Sequence, residues 1–430
     1  MSSRLSKLEE VATIVDSLHK TPGYIETGHP MVRVTDVKYG FLDLSKALRV
    51  NEDTFLEFSR RYKPSKADII VTRVGTYGVF SKVLDTHFCL GQNTAAIIPN
   101  QIDADYLYAA LNSSFVRAQI EASVVGSTQK TLSLRLIGKL EIPRLEEKYE
   151  LLIAELSSYL DNRITLLRET NSTLEAIAQV LFKSWFVDFD PVRAKQEGRQ
   201  PEGLDEATAA LFPDSFEQSE LGEIPRGWLL STFRNTIEII GGGTPKTSVA
   251  EYWGGNIPWF SVVDAPHISD VFVVDTEKHI TDAGLKGSSA KLLAVGTTII
   301  SARGTVGRIA LTGCPMAMNQ SCYGLRGKAG DQYYTFFNTK RIVDQLKQRA
   351  HGSVFDTITQ ETFSGILVCY SSGNLIQCFE KLIEPLMLRI RENLLMANNL
   401  ASLRDTLLPR LISGQLRLPE IDSLLEESVL

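Results

Sequence analysis

Arg303, Asn319 and Gln320 carry the forked donor and acceptor groups that recognise planar, polar surfaces; Arg303 precedes Gly304 and the Asn319-Gln320 pair precedes Ser321. A guanidinium fork such as Arg303 matches the two acceptors of guanine, while Asn and Gln amides suit adenine. Gly242, Gly243, Thr244, Lys246, Thr247 and Ser248 form a glycine-rich loop stiffened by Pro245. Such a loop can bring backbone N–H groups and a lysine close to phosphates. Arg73, Thr76, Gln92 and Asn93 repeat these residue types in the first half of the chain. Each motif also has a plain structural reading: Gly-Thr-x-Gly as a tight turn, Asn-Gln as a buried hydrogen-bonding pair.

Residues for catalysis are missing from the pattern. No Gly-x-x-x-x-Gly-Lys-Ser/Thr phosphate loop occurs, nor an Asn-Pro-Pro-Tyr motif of adenine methyltransferases. Glu146-Glu147-Lys148 resembles a nuclease fragment but has no supporting Asp. The six histidines form no HxH or HxxxH pair. Five cysteines, an odd number without a CxxC, argue against a disulfide framework and a zinc site, and point to a reduced cytoplasm. The N-terminus lacks a signal peptide's apolar stretch, and no apolar run approaches the roughly 18–20 residues of a membrane span. A net charge of −6 does not mark a nucleic-acid binder by itself. Positive charge is local: Arg60, Arg61, Lys63 and Lys66, then Lys340, Arg341, Lys347 and Arg349 at helical spacing. A charge run of this kind is commonly a solvated face.

The elements that position these residues occur twice. Arg163 and Leu174 reappear 226 residues later as Arg389 and Leu400, and Gly126-Ser127 as Gly352-Ser353. Gly75-Thr76-Tyr77-Gly78 answers Gly304-Thr305-Val306-Gly307 at 229, and Pro30 with Asp36 answers Pro258 with Asp264 at 228. The period is far beyond a solenoid unit of roughly 20–50 residues. The spacing predicts an amphipathic helix over 1–20, an α+β domain over 21–143 and a long helix over 144–190. A Pro/Gly-rich extended linker over 191–225 leads to a second domain over 226–370, a second long helix over 371–414 and an acidic tail over 415–430.

In the first long helix Ile153, Leu160, Leu167, Leu174 and Leu181 recur every seven residues, with Leu156, Arg163, Thr170 and Ile177 as the expected companion seam. The second repeats the pattern with Phe379, Leu386, Asn393, Leu400 and Leu407, and with Leu382, Arg389, Met396 and Leu403. Two such helices on one chain are expected to pair antiparallel as a coiled coil, with Arg163, Arg389 and Asn393 fixing the register.

Gly241-Gly-Gly-Thr-Pro-Lys with Tyr252-Trp-Gly-Gly-Asn-Ile-Pro-Trp, then Ser301-Ala-Arg-Gly-Thr-Val-Gly-Arg, Met318-Asn-Gln-Ser and Leu407-Leu-Pro-Arg-Leu-Ile-Ser-Gly-Gln-Leu resemble type I restriction–modification specificity subunits. Leu181-Phe-Lys-Ser-Trp-Phe-Val-Asp-Phe-Asp-Pro is similar to the end of the family's first helix. The first domain departs from the pattern: it opens on Lys20-Thr-Pro-Gly-Tyr and lacks the Tyr-Trp-Gly-Gly equivalent.

The resemblance implies an α+β chain of two similar target recognition domains separated by two long paired helices, related by a pseudo-two-fold repeat. Each domain would read one half of a bipartite double-stranded DNA target, with the helix pair as spacer. Two methyltransferase (modification) subunits using S-adenosylmethionine, and restriction/translocase subunits using ATP and Mg²⁺, would supply catalysis in phage defence, with no cofactor in this chain. The residues expected to meet DNA are Arg60, Arg61, Lys63, Lys66, Arg73, Thr76, Gln92, Asn93, Gly242, Gly243, Thr244, Lys246, Thr247, Arg303, Thr305, Arg308, Asn319, Gln320 and Ser353. Three other readings compete: an enzyme (a fused restriction–modification fragment or a phosphoesterase with an unrecognised site), a coiled-coil adaptor that does not read DNA, and a specificity subunit of another phage-defence methyltransferase.

Overall fold

The architecture was read from a computed structural model that describes residues 4–124, 131–266, 271–350 and 357–416. It divides into two units, one of residues 1–165 with 398–430 and one of residues 166–397.

The first unit opens with β1 (Arg4–Lys7), α1 (Leu8–Val11), β2 (Ala12–Asp16), β3 (His29–Val32), β4 (Leu48–Val50) and α2 (Glu52–Phe58). It continues through β5 (Ile69–Thr72), β6 (Phe80–Lys82), β7 (Cys89–Leu90), β8 (Thr94–Pro99), α3 (Ala104–Leu111), α4 (Ser114–Val124), α5 (Leu134–Gly138) and β9 (Glu141–Arg144). The long helix α6 (Glu147–Phe186) begins here and ends in the second unit. β2, β8, β5 and β6 make one antiparallel sheet in that order, and β4, β3 and β7 a smaller one in which β3 and β7 run parallel. β1 pairs with β9.

The second unit holds α7 (Asp190–Gln196), α8 (Glu206–Ala210), β10 (Phe216–Ser219), β11 (Gly222–Pro225), β12 (Leu229–Thr232), α9 (Phe233–Thr236), β13 (Ile237–Gly241) and β14 (Trp253–Phe260). Then come β15 (Phe272–Val273), β16 (His279–Ile280), α10 (Asp282–Lys286), β17 (Thr298–Ser301), β18 (Ile309–Thr312), β19 (Ala317–Met318) and β20 (Cys322–Gly327). Helices α11 (Gln332–Ala350) and α12 (Gln360–Ser364), strand β21 (Leu367–Tyr370) and the long helix α13 (Gly373–Ile412) complete the order. The sheets repeat those of the first unit with one strand, β15, added parallel to β18: β13-β20-β17-β18-β15, β16-β14-β19 and β12-β21. Even the parallel pair recurs, Met31 beside Cys89 in one unit and Trp259 beside Ala317 in the other, both at an offset of 228.

The expected helix over residues 1–20 is not formed. β1, α1 and β2 stand there, because Thr13, Ile14 and Val15 are β-branched and pair along β8. The linker is more ordered than an extended connector: α7 and α8 form within it, and Val192 and Phe212 are buried.

Within each unit α6 and α13 lie antiparallel. In the second, Asn171 meets Asn393 while Phe182, farther along α6, meets Phe379, farther back on α13. The rings of Phe182, Trp185, Phe186, Phe337 and Phe379 meet there at centroid distances of 5.2–6.5 Å, many edge to face. Each such pair contributes about 0.5–1.5 kcal/mol beyond simple burial. The Ile153 and Phe379 seams face inward as expected, but the companion seam is shifted by one residue. Ser157, Ile164, Asn171, Ala178 and Trp185 are buried on α6, and Ile383, Ile390, Ala397, Arg404 and Leu411 on α13. Arg163 and Arg389 therefore do not sit in the seam; both are exposed, and Arg389 lies 3.5 Å from Glu392. Leu152, Tyr159, Leu166, Ile177 and Val180 on α6, and Leu382, Leu388, Leu395, Met396 and Leu403 on α13, point to solvent as further apolar stripes.

Candidate nucleic-acid interface

In the second unit three loops distant in sequence converge. Gly243 N–H donates to the Met318 carbonyl at 2.9 Å, and Ala302 N–H donates to the Ser321 carbonyl at 2.7 Å. The Thr244 hydroxyl donates to Oε1 of Gln320. Trp259 Nε1–H, buried beneath, donates to the Gly243 carbonyl at 2.9 Å. Glycine is required at both loop positions: a Cβ on Gly242 would run into the Asn319 carbonyl, and one on Gly243 into the backbone of Ala290. Thus Gly242, Gly243, Thr244, Arg303, Asn319 and Gln320 come together at one end of the sheet. Lys246 and Thr247 continue the loop, exposed, with the Lys246 carbonyl held by Trp253 Nε1–H at 3.3 Å.

The segment from Ser301 to Arg308 is a tight turn and still presents side chains. Gly304 and Gly307 have φ of +73° and +83°, a left-handed conformation that glycine adopts without steric cost. Gly307 N–H donates to the Ser301 carbonyl and Arg308 N–H to the Ser301 hydroxyl, at 2.9 and 2.8 Å. Arg303 and Thr305 are left exposed on the turn, while Arg308 is half-buried and donates to the Pro266 carbonyl at 3.1 Å. A Cβ on Gly307 would meet the Lys347 side chain, so this lysine of α11 lies against the turn. The other cations of that helix are dispersed: Lys340 binds Glu175 at 2.6 Å and Arg341 binds Asn338.

The first unit builds the same turn. Gly78 N–H donates to the Thr72 carbonyl and Val79 N–H to the Thr72 hydroxyl, at 2.9 and 3.0 Å, with Gly75 and Gly78 at φ +77° and +70°. Thr76 takes the place of Thr305 and is exposed. Arg73, however, is not the counterpart of Arg303. Its N–H bonds Asn93 as Ala302 bonds Ser321, and the bridge of Arg303 to Thr357 is matched by Val74 to Thr131. Arg73 is buried, ion-paired with Asp16 and donating to the Leu132 carbonyl at 3.3 Å, so it supports the fold rather than a ligand. Gln92 and Asn93 likewise answer Gln320 and Ser321, since Gly91 N–H bonds Val32 as Asn319 N–H bonds Phe260.

Arg60, Arg61, Lys63 and Lys66 are exposed on a loop pinned by buried Asp68, which accepts from the Tyr62 hydroxyl at 2.9 Å and Ser65 N–H at 2.8 Å. Burial pushes the Asp68 carboxyl up. This loop leads into β5 and the Gly75–Gly78 turn leaves it, so the two groups occupy opposite ends of one strand. Ser353 lies outside the described residues.

One constellation was missed in sequence. His29 and His87 stand two residues before the parallel partners Met31 and Cys89, which brings Nδ1 of His29 within 2.8 Å of Nε2 of His87. Glu52 reaches the far side of His29 at 2.5 Å. They border a cleft of about 560 Å³ with Arg49, Ser45 and Asp85. Among the described residues no group of three or more His, Cys, Asp or Glu could hold a metal ion, and no helix is long and apolar enough to cross a membrane.

Two copies of one α+β module, each presenting glycine turns and amide or guanidinium side chains, with paired long helices, define a duplicated recognition scaffold. Comparison with known families agrees: the type I restriction modification DNA specificity domain matches residues 5–176 and 225–368. The chain belongs to that family, as its motifs led us to expect. It is 29% identical over 322 residues to the type I restriction enzyme HindI specificity subunit of Haemophilus influenzae, covering 64% of this chain and 69% of that one. It is also 28% identical over 179 residues to the MjaIX specificity subunit of Methanocaldococcus jannaschii, 39% and 41% of the two chains. The solved S subunit of a type I system from M. genitalium shares the fold with a TM-score of 0.54 over 96% of each chain, at 17% identity. The protein is a DNA-recognition subunit, the non-catalytic member of its system.

Proposed function

We propose that each module reads one half of a split DNA target and that the helix pair sets the gap between the halves. The observation that supports this most directly is the shared turn, built by the same hydrogen bonds from Thr72 and from Ser301. It holds Thr76 in one module and Arg303 with Thr305 in the other. Residues around the turns differ between modules, Val74 standing where the second has Arg303, which suits two readers of different half-sites. In the second module Arg303 offers a fork to guanine, Asn319 and Gln320 offer amides to base edges, and Lys246 with Thr247 meet phosphates. In the first, Thr76, Gln92 and Asn93 take the base edges and Arg60, Arg61, Lys63 and Lys66 the backbone. A 40-residue helix is about 60 Å long, so the spacer covers more than one turn of B-DNA.

Type I specificity subunits work in assemblies with methyltransferase and restriction subunits on DNA. The outward apolar stripes of α6 and α13 supply docking seams, and their duplication suits two methyltransferase subunits. Those partners bring S-adenosylmethionine, ATP and Mg²⁺. Exchange of residues 21–143 for the first module of another family member tests the division of labour: one half-site changes and the other is kept. A change in both halves contradicts it.

A further inference from the structure

We propose that the polar layers of the helix pair make α6 accept α13 of its own chain and reject a second copy of α6. The duplication gives the two helices related seams, so nothing in the apolar pattern alone prevents like from pairing with like. The polar layers break that equivalence. Asp161 binds Arg404 at 2.9 Å with both side chains buried, 3% and 7% exposed, and Tyr39 covers the guanidinium at 4.1 Å. At the repeat offset of 226, Asp161 corresponds to Met387 and Arg404 to Ala178, both fully buried. Asn171 and Asn393 bind each other at 2.9 Å, and correspond to Ala397 and Leu167, again buried.

Consider α6 laid antiparallel on α6 of another copy in the register it uses with α13. Asp161 then faces Ala178 instead of Arg404, and Asn171 faces Leu167 instead of Asn393, each twice by symmetry. Two copies of α13 would set Arg404 against Met387, leaving it the exposed Asp405 of its own helix, bound at 2.8 Å, without Asp161; the sharper penalty falls on Asp161 in the pairing of two α6 helices. A buried charge without its partner is strongly destabilising, whereas the same pair intact is close to neutral against an apolar replacement. Already in the correct pairing Oδ2 of Asp161 has no hydrogen-bond partner among the described residues, and burial holds its carboxyl above the usual range. The layer thus adds little to the stability of the right pairing and much to the cost of the wrong one, the use for which polar seam residues are best attested.

The test uses the full chain. D161M/R404A copies the Met387–Ala178 layer, and N171A/N393L copies the Ala397–Leu167 layer; D161R/R404D keeps an ion pair with reversed signs. Each protein is unfolded, refolded at equal concentration, and its mass distribution measured by size exclusion with light scattering. Wild type and D161R/R404D should return mainly at 47.7 kDa. The layer-copying variants should raise the fraction at twice that mass by about tenfold or more, the ratio given by about 1.4 kcal/mol of lost discrimination. If D161M/R404A does not fold, N171A/N393L carries the same reading. Equal dimer fractions in wild type and a folded layer-copying variant would overturn the proposal, as would dimerisation of D161R/R404D to the extent expected of the layer-copying variants.

Discussion

Asn393 donates from Nδ2 to Oδ1 of Asn171 at 2.9 Å, and Asn171 donates in turn to the Ile390 carbonyl at 3.0 Å. Both amides are buried between the long helices, 2% and 7% exposed. Removing one partner leaves the other's polar atoms without compensation. N393L is therefore expected to lower stability by about 1–3 kcal/mol, while N171L/N393L recovers most of the loss. Denaturant midpoints of the two variants check this; equal losses would mean that the pair is not coupled.

Arg73 and Arg303 should separate cleanly. R73A removes a part-buried ion pair with Asp16 and the hydrogen bond to the Leu132 carbonyl, and is expected to cost about 1.5–3 kcal/mol of stability in the first module. R303A, at an exposed position on the Ser301 turn, should leave the melting temperature within about 1 °C and weaken binding at one base pair of the second half-site by about 1–3 kcal/mol. Melting curves beside binding to half-site variants report both; a stable R73A chain would refute its supporting role.

The turn glycines differ in what surrounds them. Gly304 and Gly307 both have positive φ, but only Gly307 is crowded, with Val343 and Lys347 against it. G304A should cost about 1 kcal/mol and G307A about 2–3 kcal/mol. Thermal unfolding of the two proteins decides, and an equal effect would remove α11 from the account of the turn.

Glu380 of α13 accepts from Tyr334 N–H at 2.7 Å, in the first turn of α11, and burial pushes its carboxyl up to about 7. The folded state thus holds a proton that the unfolded chain releases near pH 4.5. The stability this confers is fully present below that pH and is lost as pH rises through 7. E380Q, which stays neutral, should match wild type at pH 4.5 and exceed it by up to about 3 kcal/mol at pH 8. A constant difference across that range would place the proton elsewhere.

Much of the architecture was legible because the chain states it twice: motifs at offsets of 226–229 become strands and turns with matching registers. The first twenty residues misled because Leu8, Val11 and Ile14 fit a helical period while their neighbours fit a strand, and pairing with β8 decides. The corresponding segment after Trp228, which reads as β12-α9-β13, was the signal available. The companion seam misled for another reason. Each long helix carries apolar residues at heptad spacing on more than one face, and the face turned inward includes Ser157, Asp161 and Asn171. Apolar spacing alone does not separate the stripes, since the expected companion positions (Leu156, Arg163, Thr170, Ile177) and the buried ones (Ser157, Ile164, Asn171, Ala178) both mix apolar and polar residues. Arg73 looked like Arg303 because each precedes a Gly-Thr pair; the offset of 229 between Gly75 and Gly304 already sets Arg73 opposite Ala302, and the backbone pairing agrees.

The central claim, two modules reading two halves of one target, is tested most directly by mapping modified bases. This chain would be co-expressed with the methyltransferase subunit of its own system in a host without DNA methylation, and the genome mapped for modified adenine. The expected result is a single split motif with a fixed gap, modified on both strands. An assembled complex that modifies a continuous motif, or a motif with a variable gap, would contradict it.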